Sequence, residues 1–390
     1  MKQNINYNST FKGSVLHCLS VNVRGLRNKI KRDTFFKWCQ YQKGDLIFLQ
    51  ETYWTADIEV VVNSEWKGKV FYSHGSNRSK GTAILLKGNV DINVNGASID
   101  KEGRLLLLKV VKNDVNYCFV NLYAPTEKKN KDAFFKKLSN RIEDVQKEFP
   151  NCYFVLGGDW NCVLDPRKDT KGSKGCYYRT PQRLKSLLKQ KGFIDVWRKL
   201  HVHEKQFTWR NVSLNTASRL DYWIISKDIV NKVVSADIRP VIKGDHNAIS
   251  LKLRINDFIK GPGYWKMNAS LLKEDDFLKG IRNIITRCIN SKEESYVMKW
   301  EILKIKCREF AQKYGKRKSK MKDRKDILEN ELNYIERKLD IQKSDELKKK
   351  HENVKGKLDR IYKAECKAAG IRSRVKWMED GEKIQITFCH

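Results

Sequence analysis

Short runs of apolar β-formers punctuate the first 255 residues, and each is closed by polar or turn-forming residues. "VLHCLSVN" (15–22), "DLIFLQ" (45–50), "GTAILLK" (81–87), "RLLLLKVV" (104–111), "VNYCFVNLY" (115–123), "CYFVLGG" (152–158), "RLDYWIIS" (219–226) and "AISLKLRI" (248–255) read as strands. Between positions 129 and 149, Phe135, Leu138, Ile142, Val145 and Phe149 recur at alternating steps of three and four, which is one face of a helix. A second helix is bracketed by Thr180 as a cap, Pro181 in its first turn and Gly192 at its end. Strands in hairpin-like succession, mixed with helices, predict an α/β protein in which two sheets pack face to face with helices outside.

The pattern changes near residue 257. Gly/Pro punctuation in "IKGPGYWK" (259–266) marks a linker over 257–270, and beyond it the strands stop. From about Lys322 the chain is nearly all helix formers. Leu328, Leu332, Ile335 and Leu339 lie on a heptad seam that Leu347, Val354, Leu358 and Ile361 partly resume. A basic helical extension, partly coiled coil, is therefore expected over 271–390, after a main domain over 14–256. The basic run "KRKSKMKDRK" (316–325) reads first as a solvated helix face or hinge and only second as a nucleic-acid contact. Residues 1–13 are expected to be disordered. They contain no apolar stretch of the secretory kind. There is no internal repeat.

Charge adds a partner to this picture. The 390 residues carry 79 Lys and Arg against 46 Asp and Glu, a formal net charge of +33. The excess is spread along the chain: residues 261–390 hold 33 basic and 21 acidic side chains, the first 260 hold 46 and 25. Such a balance points to a polyanion, nucleic acid before an anionic membrane. No stretch is long and apolar enough to span a bilayer. The ten Cys fall singly, without C-x-x-C or paired Cys/His spacing, as core thiols of a reducing compartment do. No disulfide, no zinc site and a setting in cytosol or nucleus are expected.

Candidate chemistry sits where the apolar runs stop. Asn22 ends the first strand, Glu51 follows "LIFLQ", and Tyr123 ends "CFVNLY". Asp159 and Asn161 follow "FVLGG", Asp221 opens "DYWIIS", and Asp245-His246 precede "NAISLKL". Taken singly each has a plain explanation: G-D-x-N is a good turn, Asn22 before Arg24-Gly25 shapes another, and an Asp-His pair is commonly a satisfied hydrogen bond. Together they put charged groups at strand ends, where sites collect in layered α/β proteins and where water is scarce. A hard divalent cation accounts for that gathering, with Glu51 and Asp245 as candidate carboxylate ligands. His246 with Asp221 has the form of an imidazole fixed by a carboxylate. Phosphodiester hydrolysis uses such parts.

In their order, "NVRGL", "LQET", "NLYAP", "GGDWN", "SRLDYWII" and "GDHNAI" resemble the endonuclease/exonuclease/phosphatase superfamily, over roughly residues 14–255. The resemblance implies a four-layered α/β sandwich, two packed mixed sheets flanked by helices. It implies Mg²⁺, with Mn²⁺ as substitute, held by Glu51 with Asn22 near the metal and Asp245 contributing. It gives Asp159 the attacking water, Asn161 the positioning of water and phosphate, His246 oriented by Asp221 the polarising of the phosphate, and Tyr123 a share in stabilising the transition state. "QFTWRN" (206–211), "GPGYWKMNASLLKEDDF" (261–277) and "AGIRSRVKWMEDGEK" (369–383) further resemble LINE-type retrotransposons: their endonuclease domain and the connector before a reverse transcriptase. That likeness implies nicking of double-stranded DNA to a 3′-hydroxyl and 5′-phosphate in the nucleus, with Arg24, Thr208 and Arg219 at the DNA. The basic extension leaves room for RNA. Gly244 departs from the family, which commonly has Ser there. An abasic-site repair endonuclease and a catalytically relic nucleic-acid binder are the alternative readings.

Overall fold

The computed structural model describes residues 15–172, 181–211, 216–241 and 244–255, and, within 267–366, all but 268–270, 273, 292–294, 322, 342–343 and 365. The expected cap Thr180, the segment 1–13, the linker apart from Met267 and the stretch past Cys366 lie outside the described residues. Two compact units stand out among them: 15–255 together with 331–366, and 267–330.

The first unit contains two six-stranded mixed sheets. In one the order is β14 (Val233–Arg239), β15 (Ala248–Arg254), β1 (Val15–Asn22), β2 (Leu46–Gln50), β4 (Thr82–Lys87), β3 (Gly68–Ser73). In the other it is β10 (Phe193–Asp195), β13 (Asp221–Ser226), β8 (Tyr153–Asp159), β7 (Val115–Tyr123), β6 (Leu105–Lys112), β5 (Asn93–Ile99). A small third sheet joins β11 (Trp209–Asn211), β12 (Thr216–Ser218) and β9 (Thr170–Lys171). Both large sheets follow one plan: a single parallel pair at the centre, β1 with β2 and β7 with β8, flanked by antiparallel strands. Each parallel pair is joined by a helix, α1 (Lys29–Gln42) and α3 (Lys128–Glu148), as a parallel crossover requires.

Period-two alternation decides what each strand offers the core. Leu16 and Cys18 on β1, Leu46 and Phe48 on β2, Tyr117 and Phe119 on β7, and Trp223 and Ile225 on β13 meet between the sheets. Opposite faces carry the helices. Phe134, Phe135, Leu138 and Ile142 of α3 and Leu184 and Leu187 of α5 (Gln182–Gln190) pack under the second sheet. Phe36 of α1 meets Trp66, which follows α2 (Glu59–Glu65) and donates its indole N–H to Leu86 O of β4 at 3.1 Å. Two short helices follow, α4 (Pro166–Asp169) and α6 (Val196–Leu200), the latter packed on β13, β10 and β14. The four-layered sandwich is thus present, with strand bounds within two residues of those read from the sequence.

The second unit contains α7 (Asp275–Ile289) and α8 (Tyr296–Met321), joined by Phe277, whose ring lies 5.5 Å from that of Phe310 and 5.2 Å from that of Tyr314. Helix α9 (Asp323–Ile341) follows, and α10 covers 345–364. Leu332, Ile335, Val354 and Leu358 on the expected seam are buried, and residues 331–364 belong to the unit of the two sheets. The described cysteines are free thiols. No described helix is long and apolar enough to cross a membrane.

Candidate active site

The inward faces of the two sheets change character at one end. On β1, Leu16 and Cys18 give way to Ser20 and Asn22. On β7, Tyr117 and Phe119 give way to Asn121 and Tyr123, and on β8 Val155 gives way to Gly157 and Asp159. Gln50 donates to Ser20 Oγ at 3.0 Å and to Asn121 Oδ1 at 2.6 Å, while Asn121 donates to Leu49 O and Ala83 O. These fully buried amides bond to one another, with Gln50 Oε1 left unpartnered, and make a polar floor between the sheets.

The site stands on that floor. Asn22 Nδ2 donates to Glu51 Oε1 at 2.9 Å and to Asp159 Oδ2 at 3.0 Å. Tyr53 donates its hydroxyl to Glu51 Oε2 at 2.8 Å. In the second sheet, Tyr123 pairs with Asp159 across the parallel ladder and Asp159 with Asp221 across the antiparallel one. His246 Nδ1 lies 2.9 Å from Asp221 Oδ2, and its Nε2 lies 3.9 Å from Asp159 Oδ2. Asn161 donates from its backbone to Asp159 Oδ1 at 2.9 Å and from its side chain to Ala124 O at 2.8 Å. Six of the eight expected catalytic residues therefore gather in one place: Asn22, Glu51, Asp159 and Asn161 share hydrogen bonds, the His246–Asp221 pair approaches Asp159 to 3.9 Å, and Tyr123 borders them.

Local backbone serves this geometry. A Cβ on Gly157 would fall 2.3 Å from the Trp223 ring, and one on Gly158 2.0 Å from Leu122 O, so both glycines before Asp159 are required by close approach. Arg24, Glu51 and Asn161 hold φ of 46°, 53° and 47°, a left-handed conformation that costs energy for the first two and is kept where structure demands it. Gly244 has φ 134° and nothing nearer to a built Cβ than 3.9 Å. A serine there would have room but a strained backbone, so the departure from the family involves backbone shape as well as a lost hydroxyl.

Electrostatics follow from burial. Asp159 is 1% exposed. Desolvation, with Asp221 beside it, pushes its carboxyl up to about 7 against the pull of His246 and Asn22. His246 is buried as well, which would lower it, but Asp221, Asp159 and Asp245 together raise it to about 10. Burial and the neighbouring Glu51 and Asp159 carry the Tyr123 phenol well above its usual range. Among the described residues Asp159, Asp221 and His246 form a group whose ligand atoms all lie within 4.8 Å of one another.

Three residues named from the sequence are engaged by protein partners. Asp245, expected to contribute at the metal, accepts from Arg24 Nη1 at 2.9 Å and from Trp209 Nε1 at 3.2 Å. Thr208, expected at the DNA, is 0% exposed. Its hydroxyl accepts from the Leu220 and Asp221 amides at 2.9 and 3.1 Å, so it sets the start of β13. Arg219, also expected at the DNA, is 1% exposed, bonded to both oxygens of Asp169 and to Asp195 at 2.6 Å. A buried guanidinium seeks carboxylates inside, and these two hold it there. Arg24 remains at the surface, 63% of its side chain exposed.

Three residues of the site escape sequence reasoning. Tyr53 anchors Glu51. Lys131 of α3, 3% exposed, donates its ammonium to Asn161 O. Arg104 donates to Tyr123 O at 3.1 Å and lays its guanidinium 4.9 Å from the Tyr123 ring centre. Gln50 and Asn121 were within reach, since each shares an inward face with a polar strand end.

Known proteins match this layout. The chain is 27% identical over 369 residues to the uncharacterized 149 kDa protein of transposon TX1 from Xenopus laevis, covering 93% of this chain and 28% of that one. It is 23% identical over 261 residues to an exodeoxyribonuclease of Bacillus subtilis, covering 61% of this chain and 99% of the bacterial enzyme. The structure superposes on the AP endonuclease of Leishmania major with a TM-score of 0.54 at 18% identity, over 62% of this chain and 88% of that one. Residues 19–246, which carry every strand-end acid and amide described above, match the sequence profile of one family, and the chain belongs to it: the Endonuclease/Exonuclease/phosphatase family.

Proposed function

We propose that the chain is a divalent-metal-dependent DNA endonuclease, the nicking part of a LINE-type retrotransposon polyprotein, leaving a 3′-hydroxyl and a 5′-phosphate. One observation carries the reading: Glu51, Asp159 and His246 stand at or next to the ends of separate strands of two sheets and meet around Asn22 and Asp221. The likeness to the transposon TX1 protein extends through 93% of the chain, past the nuclease sheets, and supports the polyprotein context. The chain spans 28% of that protein's length.

The donor set fits a hard cation. It is mainly carboxylate oxygen, and Asp221 Oδ1 is buried with no hydrogen-bond partner. Glu51, with Asn22 beside it and Asp245 contributing, would hold Mg²⁺ or its substitute Mn²⁺. When bound, such an ion neutralises phosphate charge and makes water easier to deprotonate. The chain's own groups supply the rest. Asp159, beside the Asn161 amide and raised toward neutrality by burial and Asp221, accepts the proton of the attacking water, which Asn161 positions. His246 stays protonated at neutral pH and donates to a phosphate oxygen, with Asp221 fixing its ring. Tyr123 keeps its phenolic proton and donates to the growing charge. Exposed lysines and arginines, Arg24 among them, grip the DNA backbone, and the nucleus is the place of work.

The test is nicking of supercoiled plasmid. Activity with Mg²⁺, lost in chelator and in Glu51→Ala, is expected. Unaltered nicking by Asp159→Asn combined with His246→Ala would overturn the assignment. A strong preference for abasic over intact duplex would move the reading to repair.

A further inference from the structure

Helices α9 and α10 lie outside the span matched by the family, yet three of their side chains grasp the loop that bears the Asp-His pair. Lys355 Nζ donates to Gly244 O at 3.1 Å. Asp340 binds the Arg210 guanidinium through both oxygens, at 2.9 Å from Nη2, and the Arg210 amide donates to Asp245 O at 3.1 Å. Glu336 Oε2 accepts from Asn247 Nδ2 at 2.7 Å. Three anchors on residues 244, 245 and 247 thus bracket His246.

Glu336 is the most committed of them. It is 2% exposed, and its other oxygen lies 3.0 Å from His351 Nε2 on α10. Burial works to raise its carboxyl, but the bond to His351 and the charges of Arg210 and Lys355 keep it below the usual range. A buried carboxylate held ionised by partners on α10 and β11 is a fixed acceptor. Asn247, 6% exposed, is fixed on its other side by its amide, which donates to Thr208 O at 2.6 Å. Thr208 in turn supports the Asp221 amide. One continuous chain of hydrogen bonds therefore runs from α9 to both members of the His246–Asp221 pair.

We infer that residues 331–364 are a working part of the nuclease centre and that Glu336 is a positioning residue for His246, acting through Asn247. The inference rests on the nuclease reading above. Displacement of a donor by an ångström costs up to about a hundredfold in rate, so loosening the 244–247 loop is felt in turnover before it is felt in DNA binding.

The experiment uses the full chain and compares wild type with Glu336→Ala, Glu336→Gln, Asn247→Ala and the Glu336→Ala/Asn247→Ala double variant. Plasmid nicking gives kcat and KM, urea unfolding the folded fraction, and hydrogen–deuterium exchange the mobility of residues 244–248. Glu336→Ala is expected to lower kcat about tenfold or more with KM within about twofold. It should speed exchange over 244–248 while β8 and β13 exchange as in wild type. Asn247→Ala should match it, and the double variant should be no worse than the worse single one, because both cut the same link. Glu336→Gln, which keeps an oxygen for Asn247, should recover most of the rate. Wild-type kcat in Glu336→Ala, losses that multiply in the double variant, or unchanged exchange over 244–248 would each overturn the inference. If Glu336→Ala is partly unfolded, the Glu336→Gln recovery and the double-variant comparison decide. If wild type nicks no plasmid, the nuclease reading falls, while the exchange result still reports whether Glu336 holds the loop.

Discussion

A single side-chain amide links the two sheets at the site: Asn22 Nδ2, at the end of β1, lies 2.9 Å from Glu51 Oε1 and 3.0 Å from Asp159 Oδ2. Asn22 and Glu51 belong to the first sheet and Asp159 to the second. Without that donor the two carboxylates lose the amide that bridges them, keeping only Tyr53 on Glu51 and the Asn161 amide on Asp159. Asn22→Ala is expected to slow plasmid nicking by about a hundredfold or more while circular dichroism and the unfolding midpoint stay near wild type. Near-normal rates would show that the bridge is dispensable.

The pair formed by His246 and Asp221 sets a pH limit. Asp221 raises His246, so removing its charge lowers the pH at which the imidazole loses its proton. Nicking by Asp221→Asn should fall about a hundredfold at pH 7, and the alkaline limb of its pH–rate profile should move to lower pH. An alkaline limb that stays in place would mean that some other group controls it.

Two arginines that look alike in sequence should behave differently. Arg219 neutralises the buried Asp169 and Asp195, and Arg219→Ala is expected to cost about 3–5 kcal/mol in urea unfolding. Arg24 is exposed at the rim. Arg24→Ala should leave stability unchanged and reduce the salt dependence of DNA binding by about one phosphate contact. The reverse result would restore Arg219 to the DNA.

His17 makes folding sensitive to acid. Burial, with Arg239 and Lys252 nearby, pushes its imidazole down to about 4 from the ordinary 6.5. Between those values the unfolded chain binds the proton and the folded one does not, so stability falls as pH drops from about 6.5 toward 4, by at most about 3 kcal/mol. Urea midpoints at pH 7.5 and 4.5 should differ less in His17→Gln than in wild type. An equal difference would assign the acid sensitivity elsewhere.

Much of this was readable from residues alone, for a physical reason. Strands such as 15–22 and 115–123 show at their true bounds because both faces are buried and nearly every residue is apolar until the site begins. Edge strands do not show. β5, "NVNGASI", carries a glycine and alternates exposed with half-buried positions, so it has no apolar run to betray it. Acids and amides at strand ends stand out against apolar neighbours. Lys131, Arg104 and Arg219 do not stand out, because in a chain with 79 basic residues a buried cation looks like any solvated one. Glu336 is hidden likewise among the charges of a helix. The matched plan of the two sheets has no counterpart in any sequence repeat.

That matched plan makes the proposed catalytic centre a seam. Residues up to Lys87 bring Asn22 and Glu51, and residues from Asn93 onward bring Tyr123, Asp159, Asp221 and His246. A backbone cut in the connection at 88–92 would leave neither fragment with a complete set. Nicking restored on mixing the two fragments would then be a direct readout of complementation between them.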